Sequence, residues 1–253
     1  MRFIKTLAIF VLIVLSSNSV IAGDRPLRVA VASNFAPVLE RLTPDFTAQT
    51  GIQVQLIKGA SGTLYQQIKH GAPYDIFMSA DAVRPQQLLN DNLVIANSLH
   101  TYAYGQLAYW SANREITSLS DLAYQDSRLA IANPDIAPYG KAAKQVLRQM
   151  GLWQQYQSRL IVGINIGQTF QQVRSKAVSS GIVANSQLVL NELNGLIIPE
   201  NYYSPIQQQV VILKSSQQHK LAQSFLAYLL AEPVQARILA FGYAKVPSVS
   251  KEP

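Results

Sequence analysis

Four short stretches of this sequence share one chemistry: 32-ASNF-35, 59-GASGT-63, 137-APYG-140 and 165-NIGQT-169. Each combines small residues or proline with Ser, Asn, Thr, Gln or Tyr, and none contains Asp, Glu, His, Lys or Arg. Each follows an apolar run and precedes a segment of helical period, so each reads as a junction from strand to helix. The first N–H groups of a helix lack intrahelical acceptors and lie at the positive end of its dipole, which suits them to an anion without any formal charge. Small residues let backbone approach closely, and the hydroxyl and amide side chains donate hydrogen bonds. Taken singly, Ser33, Ser61 and Asn165 are ordinary helix caps, and Tyr139 is an ordinary packing residue with a wet hydroxyl. The recurrence of the pattern is what points to a site.

A tetrahedral oxyanion that is fully deprotonated offers only acceptors. A cage built only of donors therefore suits molybdate, tungstate or sulfate better than a protonated phosphate, whose P–OH would need an acceptor such as a carboxylate.

The elements that position these junctions fall into two series. In the first, strands at 27–32, 52–57 and 75–78 alternate with helices marked by Phe35, Leu39, Leu42 and Phe46, by 63–69, and by a segment through Leu89 that Asp81 is placed to cap. Pro44 is expected to kink or restart the first helix. After a long extended segment at 101–110, the second series has strands at 128–132, 160–163 and 181–184 and helices at 140–150 and 169–178. A proline-punctuated loop at 199–205, a strand at 209–213 and helices at 217–230 and 233–241 complete the chain. Such alternation predicts parallel sheets with helices on both faces, and ligands in these sheets sit beyond the C-terminal strand ends, where the four junctions lie. The expected organisation is a leader at 1–22, one lobe from 23–104 and 210–253, and a second from 105–209, with the chain crossing near residues 104–106 and returning near 207–210.

The leader is read from Arg2 and Lys5, the apolar run Leu7 to Leu15, and the small-residue ending Val20-Ile21-Ala22. Nine apolar residues are far short of the roughly 20 that cross a bilayer. The 253 residues include no cysteine, which excludes a lipid-modified cysteine, disulfides, zinc–thiolate sites and thiol catalysis. The net charge is +7, of which Arg2 and Lys5 contribute two, leaving +5 after cleavage. The basic residues are scattered rather than striped, so no nucleic-acid partner is expected.

The stretches 29-VAVASNF-35, 59-GASGTLYQQIKHGAPYDIFMSAD-81, 102-YAYGQLAYWS-111, 131-IANPDIAPYGKAAKQVLRQMGLW-153, 180-SGIVANSQ-187 and 225-FLAYLLAEPVQARILAFGY-243 together resemble the periplasmic molybdate-binding proteins that serve ABC transporters, over essentially the whole chain beyond the leader. The resemblance implies a type II periplasmic binding fold: two α/β lobes with parallel-rich sheets flanked by helices and a hinge between them. It implies molybdate, and tungstate with it, held by Ser33, Asn34, Ser61, Tyr139 and Ile166. Ser61 would give hydroxyl and N–H, while Tyr139 and Ile166 would act chiefly through backbone N–H. It also implies a membrane permease as partner, a periplasmic monomer, and no cofactor, resident metal or catalysis. Ala184 stands where some members have a donor tyrosine and Tyr139 where some have alanine, which makes the Asn34 side chain a candidate replacement donor.

Two other readings compete. The tandem Tyr202-Tyr203, with His70 or His100, could ligate ferric iron through hard phenolate oxygens. Ser61 at a sharp turn suggests an exported serine hydrolase, although the G-x-S-x-G pattern is absent.

Overall fold

The computed structural model of the protein describes residues 25–123 and 127–245, which form two mixed sheets with helices on both faces of each. The leader read at 1–22 lies outside the described residues. In chain order, β1 (Leu27–Ala32), α1 (Ala36–Thr50), β2 (Val54–Gly59), α2 (Ser61–Lys69), β3 (Ile76–Ser79), α3 (Val83–Asn90) and β4 (His100–Gly105) come first. Next are β5 (Leu107–Ser111), β6 (Leu129–Ala132), α4 (Pro138–Gln149), α5 (Trp153–Tyr156), β7 (Leu160–Gly163), α6 (Ile166–Arg174), β8 (Ser180–Ala184), α7 (Asn185–Val189) and β9 (Leu196–Ile197). The chain then enters β10 (Ile206–Ile212) and continues into α8 (His219–Leu230) and α9 (Glu232–Ala240).

The first sheet has the order β2-β1-β3-β10-β4, with β1, β2 and β3 parallel and β10 antiparallel to both neighbours. The second has the order β7-β6-β8-β5-β9, with β6, β7 and β8 parallel and β5 antiparallel to β8. Successive strand residues point to opposite faces, and both faces are covered. Val29, Val31, Ile76 and Met78 pack under α1, α8 and α9, while Ala30, Phe77 and Val211 pack under α2 and α3 through Leu64, Ile68 and Leu88. In the second sheet Leu129, Ile131 and Ile182 meet Ala142, Ala143 and Val146 of α4, and Ala130 and Val183 meet Phe170 and Val173 of α6. With both faces covered, every residue of β3 and β6 is buried, and only Ser79 at the end of β3 interrupts their apolar run.

α1 runs through Pro44 without restarting. Its buried stripe of Ala36, Val38, Leu39, Leu42 and Phe46 holds it to the sheet, and Pro44 with Glu40 lies on the exposed side, where a carbonyl freed by proline can be hydrated. Asp81 does not occupy the cap position of α3, which falls to Ala82, yet its Oδ1 still accepts from the Arg84 N–H at 3.1 Å.

The extended segment at 101–110 divides into β4 and β5, one in each sheet, with only Gln106 between them. The return path is equally short: β10 forms as soon as Pro205 ends the loop and pairs Ile206 with Gly105. Residues 206–209 therefore belong to the first sheet, a few residues earlier than the sequence suggested. The two connections lie side by side, and their pairing makes a hinge.

Candidate anion-binding site

The helices after β2, β6 and β7 begin at Ser61, Pro138 and Ile166, two or three residues before the starts read from the sequence. The first turn of a helix needs no N–H acceptor, so residues of loop-like composition are accommodated there. Consequently Ser61 is the first residue of α2 and not its cap, which is Ala60. Ser33 likewise precedes the α1 cap, Phe35. Of the three, Asn165 alone caps by its side chain, accepting from the Gln168 N–H at 2.9 Å.

These helix starts converge. Ser33 and Asn34 after β1, Ala60 and Ser61 after β2, Ala80 after β3, Pro138 and Tyr139 on α4, and Asn165 and Ile166 at α6 line one narrow cavity of about 10 Å³ between the sheets. All five sequence-predicted residues, Ser33, Asn34, Ser61, Tyr139 and Ile166, line it, and no ionisable carboxylate, imidazole, ammonium or guanidinium does. Around it, Ala32, Ala60 and Ala80 from one sheet meet Ala137, Ile166 and Ala184 from the other in a single apolar cluster.

The donors are poised. Among the described residues, the backbone N–H groups of Asn34, Ser61, Tyr139 and Ile166 have no partner within the protein. The fully buried Ser61 Oγ accepts from the Ala80 N–H at 2.9 Å, and Ser33 Oγ accepts from the Gly167 N–H at 3.4 Å. A hydroxyl that accepts in this way keeps its own proton to donate.

The Asn34 side chain is not a replacement donor. Its Nδ2 donates to Gln208 Oε1 at 2.9 Å and to Tyr243 OH at 3.1 Å, so only the backbone N–H of Asn34 is left for a ligand. The phenol of Tyr139 accepts from Gln208 Nε2 at 3.1 Å and keeps its own proton. Burial pushes the phenols of Tyr102, Tyr139 and Tyr243 well above their ordinary pKa, so all three stay neutral.

Several residues missed in the sequence support the cavity. Gln208, Tyr102, Tyr243 and Ser186 form a buried network behind Asn34 and Tyr139. Gln187 accepts from the Ala184 N–H and donates to the Ile166 carbonyl, bracing the start of α6. No local motif marks these residues; each is a polar side chain whose partners are distant in sequence. Beside the cavity, the Gly62 N–H donates to the Ile136 carbonyl at 2.8 Å and Arg84 reaches the Asp135 carbonyl at 3.4 Å, joining the two lobes directly. A Cβ at Gly62 would stand 2.9 Å from that carbonyl oxygen, so glycine is what permits the approach.

The groups of the competing readings are not assembled. The Tyr203 phenol accepts from the Leu107 N–H inside the second lobe, His70 caps α2 against the Gln66 carbonyl, and His100 sits on the Asn97 carbonyl. Among the described residues no group of three or more His, Cys, Asp or Glu is placed to hold a metal ion. The Oγ of Ser61 is bonded to a backbone N–H and not to the base a nucleophile requires.

Comparison with known proteins agrees with this geometry. Residues 27–244 match the model of the bacterial extracellular solute-binding protein family. The molybdate-binding protein ModA of Azotobacter vinelandii is 35% identical over 224 residues, covering 86% of this chain and 89% of that protein. ModA of Rhodobacter capsulatus is 34% identical, covering 85% and 86%. The solved structure of the Azotobacter vinelandii periplasmic molybdate-binding protein superposes with a TM-score of 0.84 at 38% identity, covering 88% of this chain and all of that one. From its hinge to the neutral donors in its cleft, this chain belongs to the bacterial extracellular solute-binding proteins, among the relatives of the molybdate-binding proteins.

Proposed function

We propose that this protein captures molybdate, and tungstate with it, in the periplasm as a monomer and delivers the ion to the permease of an ABC importer. One observation carries the reading: four backbone N–H groups without partners and two hydroxyls face a single cavity that no charged side chain lines. Ser33, Asn34 and Ser61 would hold the ion from one lobe, and Tyr139 and Ile166 from the other. Closure about the hinge completes the cage and removes water, which strengthens every hydrogen bond. At about 1.5 to 3 kcal/mol for each charge-assisted bond, set against an association cost of about 4 to 15 kcal/mol, five or six donors support binding in the micromolar to nanomolar range. Neutral donors hold a dianion without the strong pairing that would impede release.

Two further features support the reading. Relatives above 30% identity are molybdate-binding proteins, and a cage lacking an acceptor disfavours an ion that carries a proton. The test is calorimetric titration of the mature protein with molybdate, tungstate, sulfate and phosphate. Tight binding of the first two with weak or absent heat from the others is expected. Equal affinity for sulfate would widen the specificity to sulfate, and no heat from any of the four would overturn the reading.

A further inference from the structure

Gln208 is fully buried on β10, one of the hinge strands, and its register to β4 slips immediately after it, between Gln208 and Gln209. A slip of this kind re-aims a side chain, and the side chain here reaches three elements at once. Its Oε1 accepts from Asn34 Nδ2 at 2.9 Å and from Tyr102 OH at 3.0 Å, and its Nε2 donates to Tyr139 OH at 3.1 Å. Asn34 follows β1 in the first lobe and Tyr139 lies in the first turn of α4 in the second, so one amide ties a loop of each lobe to the hinge. The phenol of Tyr139 enters a notch shaped for it: a Cβ at Gly105, the last residue of β4, would stand 2.2 Å from its hydroxyl. Gly105 needs no unusual backbone angle and is small because Tyr139 fills the space.

We infer that Gln208 is a positioning residue for the anion cage, with Gly105 forming the socket that seats Tyr139 when the lobes close. The inference rests on the anion-binding reading above and extends it. The amide touches no ion; it fixes the two loops whose Asn34 and Tyr139 N–H groups do. Rotation of the hinge strands and assembly of the cage then become a single event, because the hinge strand carries the group that both loops hold.

The test measures association and dissociation rates for molybdate, ligand-free melting temperature, and the ion-induced change in radius of gyration for wild type, Gln208→Leu, Gly105→Ala and Tyr139→Phe. Binding by wild type tests the anion reading itself, and the variants test this inference. A positioning role predicts dissociation faster by about tenfold or more in Gln208→Leu and Gly105→Ala, the equivalent of losing about 1.4 kcal/mol, with association within about threefold of wild type and a smaller compaction. Tyr139→Phe, which keeps the ring and loses the acceptor for Gln208, is expected to show a smaller acceleration. Combined with Gln208→Leu it should add nothing further, since both remove the same bond. A merely structural role would lower the melting temperature and leave dissociation and compaction unchanged, which would overturn the inference. If Gln208→Leu does not fold, Tyr139→Phe and Gly105→Ala decide: wild-type dissociation in both would overturn it equally.

Discussion

Among single residues, Ser61 combines the most functions in one side chain. It opens α2, leaves its N–H without an internal partner, and holds the Ala80 N–H on its hydroxyl oxygen, which keeps the hydroxyl proton directed elsewhere. Ser61→Ala is expected to weaken molybdate binding by about 1 to 3 kcal/mol, the loss of a buried donor to a charge. The same change strips the Ala80 N–H of its acceptor, so the ligand-free protein should also lose about 1 kcal/mol of stability. Calorimetry and thermal melts on one variant separate the two effects, and unchanged affinity would remove Ser61 from the site. Residues of this kind were legible in the sequence because their small neighbours and polar side chains recur at four junctions. Gln208, Gln187 and Tyr243 were not, because a buried glutamine or tyrosine acquires its meaning only from partners far away along the chain: Gln208 lies 174 residues from Asn34.

Elements were legible as types and less so at their ends. Apolar periodicity located the strands other than the two-residue β9, and most helices, but α2, α4 and α6 begin earlier than the sequence reading placed them, since their first turns contain Ser61-Gly62, Pro138-Tyr139 and Ile166-Gly167. That mismatch is the functional signal: a first turn built from loop-like residues leaves N–H groups for the cleft even where its side chains, Tyr139 and Ile166, are buried. Ile166 admits a backbone-specific test. Proline is structurally welcome at the first position of a helix, and the extended backbone of Asn165, with φ −156° and ψ 171°, is compatible with a following proline. Ile166→Pro should therefore preserve α6, with a stability loss of about 1 to 2 kcal/mol from the smaller buried side chain. It removes the N–H, so affinity should fall by about 1.5 to 3 kcal/mol. Circular dichroism and titration check both halves, and undiminished affinity would show that the Ile166 N–H does not touch the ion.

For the whole molecule, two sheets joined by adjacent strands give the proposed closure its hinge, and the pairing of Ile206 with Gly105 makes the join tight. Stability of the first lobe depends on an ion pair away from the cleft. Asp75 is fully buried; burial alone would raise its pKa, but the Arg25 guanidinium at 2.8 and 2.9 Å, the Ser216 hydroxyl at 2.6 Å and the Arg28 N–H at 2.8 Å outweigh it and hold the carboxyl below its usual value. A carboxyl depressed in the folded state contributes stability above its unfolded pKa of about 3.9 and loses it as pH falls through the lower folded value. Asp75→Asn is expected to cost about 2 to 3 kcal/mol at neutral pH. Below about pH 4 the gap between variant and wild type should narrow as the wild-type carboxyl protonates. Denaturant titrations at pH 7 and pH 3 measure this, and a gap independent of pH would exclude the carboxylate charge as its source.

A cage of dipoles does not neutralise its cargo. With no charged side chain lining the cavity and the Tyr139 phenol held neutral by burial, a dianion enters without displacing or recruiting a proton, and its charge is added whole to the molecule. The loaded protein is then two units more negative than the empty one, so it moves differently in an electric field and presents an altered potential at its surface. A partner that must distinguish cargo-bearing molecules from empty ones meets a change of field as well as a change of shape, and neither depends on ambient acidity near neutrality.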